Sequence, residues 1–187
     1  MLEELIQYDY RIIIFLNSLG AKKWDAFWVF ITEPTHWYWL FMLTTLLFFK
    51  FFGIKRGTLL ILNTILTCVV TLILVELIKQ NVARLRPINN HEIKHSLRFI
   101  KNAENFSFVS GHAAFSFTFS FLVFKILKEK IKFSWVLFLF PLLFAYSRLY
   151  LGVHFLSDIL SGLFLGFLIA NIGWIVSKKW ILNQVKT

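Results

Sequence analysis

Long apolar stretches constrain the fold of this chain more than any other feature. Residues 57–78 carry a single charge, Glu76, and residues 155–176 carry only Asp158. A helix needs about 20 apolar residues to cross the hydrocarbon core of a bilayer, and both stretches reach that length. Hydrophobic residues make up 58% of the 187-residue chain, against roughly half in soluble domains. Three further apolar stretches cover residues 36–52, 111–127 and 133–150.

This pattern predicts an all-α fold, an integral membrane bundle of five to six transmembrane helices in one domain over residues 1–187. Residues 36–176 form the predicted transmembrane core, and residues 80–110 form a loop on its outer face. Residues 1–34 are ambiguous, because their apolar stretches are short and interrupted at Gly20. They form either one irregular spanning helix or, as we favour, an interfacial N-terminal helix followed by at least five spans. The predicted headgroup-level anchors are Trp24, Trp28, Trp37 and Trp39.

The positive charges predict the orientation of the bundle. The alternation of spans places one group of basic residues on a single side, which is therefore predicted to be cytoplasmic. The loop 80–110 and the turn 149–154 then share the outer face. The formal charge of +10 needs no nucleic acid to explain it, since no soluble basic face is available to bind one. The basic group consists of Lys50, Lys55, Arg56, Lys125, Lys128, Lys130, Lys132, Lys178, Lys179 and Lys186.

Three short polar blocks interrupt the apolar chain at the ends of predicted helices, all on the outer face. An ionisable residue at membrane depth is costly and therefore indicates a functional site. Three cations, two histidines and one carboxylate together suit the binding and cleavage of a phosphate ester. The blocks are Lys79 with Arg86 and Pro87 after six residues; Ser110, Gly111 and His112; and Ser147 and Arg148, with His154 after five residues and Asp158 after three more.

Each block also has a plain structural interpretation. His154 and Asp158 are four residues apart, which on a helix places them on one face and lets the carboxylate fix the imidazole tautomer. Alone, this is equally a structural bond at a helix start. Lys79 and Arg86 share a face if their helix persists, although Pro87 disfavours helix there; singly, both are ordinary cations at a helix end. Convergence of several cations beside a histidine requires an anion.

The second block combines a helix cap with an anion site. Ser110 is a preferred N-cap, and the free N–H groups of a helix start attract anions. Gly111 allows close approach of the backbone, and His112 points from the same helix start. A plain cap is the alternative. A turn at Gly152 and Val153 can fold Arg148 back towards His154, six residues later.

Other features favour structural roles. His91-Glu92-Ile93-Lys94-His95 matches a zinc protease pattern but follows a turn-rich polar loop, so we expect no metal there. Cys68 is alone in an apolar stretch and is interpreted as a packing residue. Gly162, Gly166 and Ala170 put small residues on one helix face, which favours close packing within the bundle, with a dimer contact as the alternative.

The three blocks, in this order and at these spacings, resemble the signature of the type 2 phosphatidic acid phosphatase (PAP2) superfamily. The flanking apolar stretches are similar to the six-helix core of that family. One position departs from the signature: Val109 stands where the family usually has proline, which changes the entry to the loop and leaves the three residues after it in place. The N-terminal part of the chain also resembles short bacterial members of this superfamily. The residues that carry this resemblance are Tyr8, Asp9, Phe15, Leu16, Asn17, Trp24 and Asp25.

The resemblance implies roles for the site residues. His154 would be the nucleophile that forms a phosphohistidine, and Asp158 would orient it and stabilise its charge. His112 would protonate the leaving alkoxide and then activate water. The resemblance implies no metal and no other cofactor, because fixed cations take the place of a metal. The implied phosphate-binding residues are Lys79, Arg86, Ser110, Gly111 and Arg148.

The implied protein is a metal-independent lipid phosphatase in a bacterial inner (cytoplasmic) membrane, multi-pass, with its active site facing the periplasm or outside. Its partners would be a lipid phosphate and membrane lipids, with no nucleic acid; the oligomeric state is not predicted. We expect undecaprenyl pyrophosphate or another lipid pyrophosphate first, and a lipid A phosphate, phosphatidylglycerol phosphate or phosphatidic acid as alternatives. The loop residues expected to bind the headgroup are His91, Lys94, His95, Arg98 and Lys101.

Two other functions use the same residues. A phosphotransferase would pass the phosphoryl group from phosphohistidine to a lipid or sugar hydroxyl, and release of free phosphate without an acceptor would exclude it. A small lipid transporter would use the buried charges as a relay, but that interpretation leaves the motif spacing unexplained. Replacement of His154 by alanine separates the transporter from the enzyme.

Overall fold

The computed structural model describes residues 2–183, and all the regular secondary structure in that range is helical, without strands. The all-α fold is therefore confirmed, and Lys186 of the predicted basic group lies outside the described residues. The six α-helices are α1 Leu2–Ser18, α2 Lys22–Thr32, α3 Tyr38–Val82, α4 Gly111–Leu127, α5 Leu139–Tyr150 and α6 Leu156–Val176. Shorter helical turns are Pro34–Trp37, Pro87–Asn89, Lys94–Ser96, Ser134–Phe138 and Ser177–Leu182.

Helix α3 consists of two arms joined by a reversal at Gly53. Gly53 has φ 72°, a left-handed conformation that glycine adopts without steric cost. A Cβ on Gly57 would lie 3.2 Å from the backbone of Phe48, although the same spacing in a straight helix would separate them by about 13 Å. The second arm, residues 54–82, therefore folds back along the first, residues 38–52. These arms correspond to two of the predicted spans.

The remaining predicted spans are also helical. Helix α4 coincides with one stretch, α6 lies within another, and the turn Ser134–Phe138 continues into α5. By length and composition, Pro34–Asn89 and Leu156–Leu182 can cross a membrane, while the other two apolar helices are shorter. The number of spans stays a prediction. Large exposed apolar side chains cover the outside of the long helices, as at Leu62, Ile65, Phe164 and Ile172.

Helix α4 contacts α3, α5 and α6 and lies between them. Its contact with α6 is close because small residues of α6 face it. A Cβ on Gly162 would lie 2.6 Å from the carbonyl oxygen of Ser110, and one on Gly166 would lie 2.6 Å from that of Ala114. Ala170 on the same face is fully buried. The interpretation of this face as helix packing within the bundle is confirmed.

Helices α1 and α2 pack on α5, and α1 also contacts α6. The buried face of α1 presents Asp9, Ile13 and Asn17 at successive turns. Asn17 Nδ2 donates to the carbonyl of Tyr150 at 2.8 Å, and its Oδ1 accepts the N–H of Arg98 at 2.7 Å. Asp9 and Asn17 thus point into the protein, whereas Leu5 and Phe15 are exposed together with the charged Arg11. This arrangement suits a helix in contact with lipid; its interfacial placement stays a prediction.

One of the four predicted tryptophan anchors, Trp37, is wrong because it is buried, and Trp28 is half-buried. The ring of Trp28 packs 4.9 Å from Tyr146 and 5.5 Å from Tyr150. Trp37 is 7% exposed, and its indole N–H donates to the carbonyl of Ile31 at 2.9 Å. Both face the bundle because α2 and the turn after it fold onto α5, which local sequence does not reveal. The exposed tryptophans of the predicted set are Trp24 and Trp39.

The ends of the helices sort into two faces. The reversal at Gly53, the connection 128–133 and the turn Ser177–Leu182 lie at one end of the bundle. The loop 83–110 and the turn 151–155 lie at the other end. The predicted basic residues within the described range belong to the first end, and the three polar blocks belong to the second. Which end faces the cytoplasm stays a prediction.

Candidate active site

The structure brings the eight predicted site residues together at the end of the bundle formed by the loop 83–110 and the turn 151–155. The N–H of Ser110 donates to the carbonyl of Asp158 at 3.0 Å, which joins the second and third blocks. His112 lies within electrostatic range of the other histidine and of all three cations. Six of the eight are nearly inaccessible to solvent: Lys79 9%, Arg86 6%, Ser110 0%, Arg148 6%, His154 1% and Asp158 0% exposed.

A helix cap, and not helical spacing, brings His154 and Asp158 together. The expectation that both lie on one helix face is wrong, because α6 begins at Leu156 with Phe155 as its N-cap. Asp158 reaches back over the cap, and its Oδ2 accepts the N–H of Phe155 at 2.9 Å. The same oxygen lies 3.4 Å from His154 Nδ1. The carboxylate therefore holds the cap and faces the imidazole at once.

Arg86 fixes the tautomer of His154. Its Nη1 lies 3.2 Å from His154 Nε2 and donates to the carbonyl of Val153 at 3.0 Å. Its Nε donates to the carbonyls of residues 104 and 105 at 3.0 and 3.1 Å. Because a guanidinium can only donate, Nε2 must be the acceptor in this contact. The ring proton is thereby assigned to Nδ1, which faces Asp158, and Nε2 carries a lone pair.

The surroundings of His154 keep it neutral. Burial, followed by the positive charges of Arg148, Arg86 and Lys79, lowers the pKa of His154 well below its ordinary value. A neutral imidazole with a lone pair on Nε2 is a nucleophile. The site thus presents a nucleophilic nitrogen among three fixed cations.

Arg148 presents a buried donor to the same space. It lies in the last turn of α5, and its Nη1 donates at 2.6 Å to the hydroxyl of Thr32, which is itself 1% exposed. Its Nε is buried and has no hydrogen-bond partner among residues 2–183. The turn at Gly152, with φ 67°, lets the N–H of Val153 return to the carbonyl of Arg148 at 3.1 Å. A buried charged donor is costly without an acceptor, so this nitrogen is suited to an anion.

Lys79 and Arg86 do not share a helix face, because the helix ends between them. Ala83 adopts a left-handed conformation, with φ 50°, and its N–H donates to the carbonyl of Lys79 at 2.9 Å. Arg86 is extended, with φ −71° and ψ 154°, as expected before Pro87. The two cations converge because the chain leaves the helix at Val82 and turns back over its end.

The start of α4 has the predicted cap. Ser110 is the N-cap, and its hydroxyl accepts the N–H of Ala113 at 3.5 Å. A Cβ on Gly111 would meet nothing closer than 3.4 Å, so the space around it does not itself demand glycine. The ring of His112 packs 4.6 Å from that of Phe144. The helix start also carries His112, which is within electrostatic range of the three cations, and free N–H groups at a helix start favour anion binding.

Val109, at the position where the family usually has proline, is held by packing. It is 4% exposed and belongs to a small apolar cluster with Val75 and Ala114. These contacts join the entry of the loop to α3 and to the first turns of α4. The apolar side chain therefore fixes the segment that leads into Ser110.

Sequence reasoning missed Arg84, which lies behind the site. Its Nη1 donates to Asp158 Oδ1 and to the hydroxyl of Ser157, both at 2.7 Å, and its Nη2 donates to Asp9 Oδ2 at 2.7 Å. Arg84 occurs within the first polar block, two residues before Arg86, and that position is the one signal that could have indicated it. The motif leaves the six residues between Lys79 and Arg86 unspecified, so it does not point to Arg84. Asp9, its partner, lies 75 residues earlier in the chain.

Two of the five loop residues expected to bind a headgroup have partners inside the protein. Arg98 Nη2 donates to both carboxylate oxygens of Asp25 at 2.8 Å, and Lys101 forms an ion pair with Glu33. Burial opposes the charge of Asp25, but hydrogen bonds from Tyr150 and Arg98 outweigh it and lower the pKa of the carboxyl. Arg98 therefore links the loop to α2. The other three loop residues expected to bind the headgroup form no ion pair within residues 2–183; they are His91, Lys94 and His95.

The zinc-type pattern lies outside any α-helix. His91 is in a turn and His95 is in the short helix Lys94–Ser96. The pattern needs an α-helix to bring its two histidines to one face. Residues 2–183 contain no group of three side chains able to hold a metal ion. The geometry therefore does not support the zinc interpretation.

Curated proteins with related sequences are phosphatases. The lipid A 4'-phosphatase of Porphyromonas gingivalis is 25% identical over 177 residues, covering 91% of this chain and 73% of that protein. The lipid A 4'-phosphatase of Bacteroides thetaiotaomicron is 29% identical over 171 residues, covering 89% and 75%. The undecaprenyl-diphosphatase of Sulfolobus acidocaldarius is 26% identical over 166 residues, covering 88% and 76%.

Solved structures share the fold. The transmembrane PAP2-type phosphatidylglycerolphosphate phosphatase from Bacillus subtilis has a TM-score of 0.75 at 20% identity, covering 95% of this chain and 88% of that one. Aquifex aeolicus LpxE has a TM-score of 0.68 at 26% identity, covering 87% and 92%. The family model of the PAP2 superfamily matches residues 57–182, a range that contains all three polar blocks. The chain is therefore a member of the PAP2 superfamily.

Proposed function

We propose that this protein is a membrane lipid phosphatase that transfers the phosphoryl group of a lipid phosphate to His154 and then to water. One observation carries the proposal: three cations surround a neutral histidine in a buried site. Among residues 2–183, Lys79, Arg86 and Arg148 form no ion pair with a carboxylate. Buried charges are stabilised by a partner of opposite sign, and a phosphate group supplies it.

In the first step, the lone pair of His154 Nε2 attacks phosphorus and the bond from phosphorus to the lipid oxygen breaks. Arg86 Nη1 exchanges its contact with Nε2 for one with a phosphate oxygen. The proton on Nδ1 stays there, facing Asp158, whose negative charge stabilises the phosphorylated ring. The negative charge of the bound phosphate favours the protonated form of His112. His112 then donates a proton to the leaving lipid oxygen, so that the lipid departs as an alcohol.

In the second step, water attacks the phosphohistidine. His112, now without its proton, accepts one from the water as the new bond to phosphorus forms. The bond between phosphorus and Nε2 breaks, inorganic phosphate leaves, and His154 returns to its neutral form. One histidine thus acts first as acid and then as base.

Binding of the phosphate oxygens supplies most of the rate enhancement in such a transfer. Lys79, Arg86 and Arg148 surround the oxygens as charge develops on them. The hydroxyl of Ser110 and the N–H of Gly111 add donors from the start of α4. These donors are fixed before substrate binds, since the helix ends and loop carbonyls described above hold them. No metal takes part in this scheme.

For the substrate we propose a lipid with a phosphorylated sugar headgroup, of the lipid A type. Two of the relatives are named lipid A 4'-phosphatases. A cleft of about 410 Å³ adjoins Lys79, and amide and carboxylate groups on its wall suit hydrogen bonds to sugar hydroxyls. The polar residues that line it besides Lys79 are Glu76, Gln80, Asn89 and Asn105.

Undecaprenyl pyrophosphate, our first expectation from the sequence, is the second candidate. One relative is named an undecaprenyl-diphosphatase. Lys101 lies in the loop at the outer end of the bundle and would contact a second phosphate if it left Glu33. A prenyl pyrophosphate has no sugar to fill the amide-lined cleft beside Lys79. The two candidates therefore predict different effects of changes in that cleft.

Phosphate release by the purified protein tests both levels of the proposal. A panel would contain lipid A, undecaprenyl pyrophosphate, phosphatidylglycerol phosphate and phosphatidic acid, with His154→Ala as the blank. Release that survives in His154→Ala for every lipid would refute the mechanism. Release in detergent without an added acceptor decides against a phosphotransferase. Gln80→Ala is expected to lower kcat/KM for lipid A and to leave that for undecaprenyl pyrophosphate unchanged, because Gln80 lines the cleft and its side chain bonds only to Glu76 within residues 2–183; the opposite pattern would favour the pyrophosphate.

We further propose that the protein is a multi-pass component of a bacterial inner membrane, with this site on the outer face. The basic residues at the opposite end of the bundle support this orientation. Lys94→Cys and Lys130→Cys place single thiols at the two ends, and the native Cys68 is buried. A membrane-impermeant maleimide applied to intact cells or spheroplasts should label Lys94→Cys alone. Labelling of Lys130→Cys alone would reverse the orientation.

A further inference from the structure

Arg84 supplies the positive charge that the buried carboxylate of Asp158 needs. The side chain of Asp158 is 0% exposed, and His154 is neutral because its Nε2 accepts from Arg86. A buried carboxylate is costly without a cation, so its charge must be matched elsewhere. Arg84 Nη1 meets Asp158 Oδ1 at 2.7 Å. The ion-pair partner of the carboxylate is therefore Arg84 and not the histidine.

Arg84 is itself held in one position. Its Nη2 donates to Asp9 Oδ2 at 2.7 Å, and its Nη1 donates to the hydroxyl of Ser157 at 2.7 Å. Its guanidinium carbon lies 3.9 Å from the centre of the Phe155 ring, a favourable cation–π contact. Asp9 Oδ1 in turn accepts the N–H of Ser157 at 3.1 Å, in the first turn of α6. Asp9 thus ties α1 to both the guanidinium and the helix that carries Asp158.

The two oxygens of Asp158 have separate partners. Oδ1 accepts from Arg84, whereas Oδ2 accepts the N–H of Phe155 at 2.9 Å and faces His154 Nδ1 at 3.4 Å. With Oδ1 bound, the carboxylate cannot turn away from the imidazole. We infer that Arg84, anchored by Asp9 of α1, is a positioning residue that holds Asp158 in the orientation that aims His154 at phosphorus. This inference rests on the proposed role of His154 as the nucleophile.

Arg84 acts from behind the carboxylate. Asp158 stands between it and the imidazole, while Lys79, Arg86 and Arg148 surround the nucleophile. Loss of Arg84 should therefore slow the chemical step and leave substrate binding nearly unchanged. A change in kcat with a constant KM is the signature of an interaction that matters in the transition state.

Arg98 offers a matched control for a purely structural role. Its two contacts with Asp25 are 2.8 Å long, and it ties α2 to the same loop as Arg84 ties α1. It makes no hydrogen bond to the eight candidate residues within the described chain. If bridges of this kind serve folding alone, Arg84→Ala and Arg98→Ala should behave alike.

The experiment compares purified Arg84→Ala and Arg98→Ala by thermal unfolding and by steady-state phosphate release. We expect kcat to fall about 10²-fold in Arg84→Ala with KM within about threefold of wild type, since residues that orient a reacting group from the outer shell contribute about 10–100-fold. Arg98→Ala should keep kcat within about threefold of wild type. Arg84→Lys keeps the charge but not the two-sided contact and should restore part of the rate.

Chemical rescue provides a readout that a folding defect would not give. A cleft of about 530 Å³ opens beside Arg84, and Asp9, Tyr10, Asn90 and Ser157 also line it. Guanidinium at millimolar concentration can enter this cleft in Arg84→Ala and occupy the position of the lost side chain. We expect it to raise kcat of Arg84→Ala several-fold and to leave that of Arg98→Ala unchanged.

Asp9→Asn carries the same test if Arg84→Ala does not fold. It should lower kcat by roughly tenfold with KM nearly unchanged, and a wild-type kcat in folded Asp9→Asn would overturn the inference. Where Arg84→Ala folds, the double variant should be no slower than Arg84→Ala, because both changes act through the carboxylate of Asp158. Three other results would also overturn the inference. The first is an equal kcat in Arg84→Ala and Arg98→Ala, and the second is a folded Arg84→Ala that guanidinium does not rescue. The third is a double variant whose loss of kcat equals the combined losses of Asp9→Asn and Arg84→Ala. Each of these results presupposes an active wild type. A wild type with no more activity than His154→Ala would instead overturn the proposed function.

Discussion

Replacement of Gly162 by alanine is expected to slow catalysis, although Gly162 bears no side chain that could contact substrate. The added Cβ would lie 2.6 Å from the carbonyl oxygen of Ser110. Cβ atoms in proteins do not approach other heavy atoms more closely than about 3.0 Å. The carbonyl would have to move by about 0.4 Å or more, because a packed interior cannot absorb such an overlap. Since this oxygen belongs to the backbone, the start of α4 must move with it, including His112.

The same geometry gives the expected magnitudes. Overpacking a close helix contact costs about 1–3 kcal/mol of unfolding free energy, while alanine in place of glycine within a helix contributes about 1 kcal/mol. The net loss of stability is thus about 0–2 kcal/mol. A misplacement of about 1 Å in a catalytic group costs about 10²-fold in rate. A shift of about half that size should therefore lower kcat by roughly tenfold.

Gly173→Ala is the matched control. Its Cβ would lie 2.6 Å from the hydroxyl of Thr67, and the position is about 16 Å further along α6. Both variants would be purified in detergent and measured by thermal unfolding and by phosphate release at saturating substrate. Similar shifts in Tm with a loss of kcat in Gly162→Ala alone would support the reasoning. A folded Gly162→Ala with wild-type kcat, or an equal loss in Gly173→Ala, would refute it.

Three further outcomes are expected. Thr32→Val removes the acceptor of a buried arginine donor, a charge-assisted bond of about 1.5–3 kcal/mol, and should lower kcat/KM by about tenfold or more; Thr44→Val, whose hydroxyl bonds within its own helix, should have little effect in the same assay. Because the pKa of His154 is lowered, the neutral nucleophile persists as the pH falls. In the pH profile of kcat/KM, the loss of activity on the acid side that is due to the enzyme should therefore occur below pH 6.5. A loss above pH 6.5 that does not coincide with the pKa of the lipid phosphate would contradict this. Gly152→Ala and Gly53→Ala both place alanine at positive φ and should each cost about 1–2 kcal/mol in thermal unfolding, but only the first, in the turn before the nucleophile, should also lower kcat.

The fold could be predicted from the sequence because lipid leaves few alternatives for an apolar chain. Stretches of about 20 apolar residues must satisfy their backbone internally, so they are helical. The helices accordingly lie where hydropathy indicates. The reversal at Gly53 separates two predicted spans, yet nothing local distinguishes it from a kink. The inward orientation of Trp28 and Trp37 depends on how α2 folds onto α5, which is a property of the tertiary structure.

The candidate site could be predicted to the extent that its residues lie in short, spaced blocks. The same spacing gave the wrong geometry for the pair His154 and Asp158, since periodicity cannot indicate where a helix begins. A capping box explains their proximity instead. Arg84, Asp9 and Thr32 were not predicted as site residues, because two of them lie more than a hundred residues before their partners in α5 and α6.

The N-terminal helices thus contribute to the site although the matched family segment, residues 57–182, begins after them. Thr32 accepts from Arg148, and Asp9 holds Arg84 and the start of α6. This anchoring role explains why α1 buries polar side chains such as Asp9. Substitutions at these positions should therefore affect the rate of phosphate release as well as stability.

The identity of the nucleophile is tested most directly by trapping the covalent intermediate. Wild-type protein would be mixed with a lipid carrying ³²P in the scissile phosphate, quenched in alkali within milliseconds, digested and analysed by mass spectrometry. We expect label that is stable to alkali and labile to acid on the peptide containing His154, and its absence in His154→Ala. Label on His112, or no covalent label while phosphate is released in a pre-steady-state burst, would contradict the account.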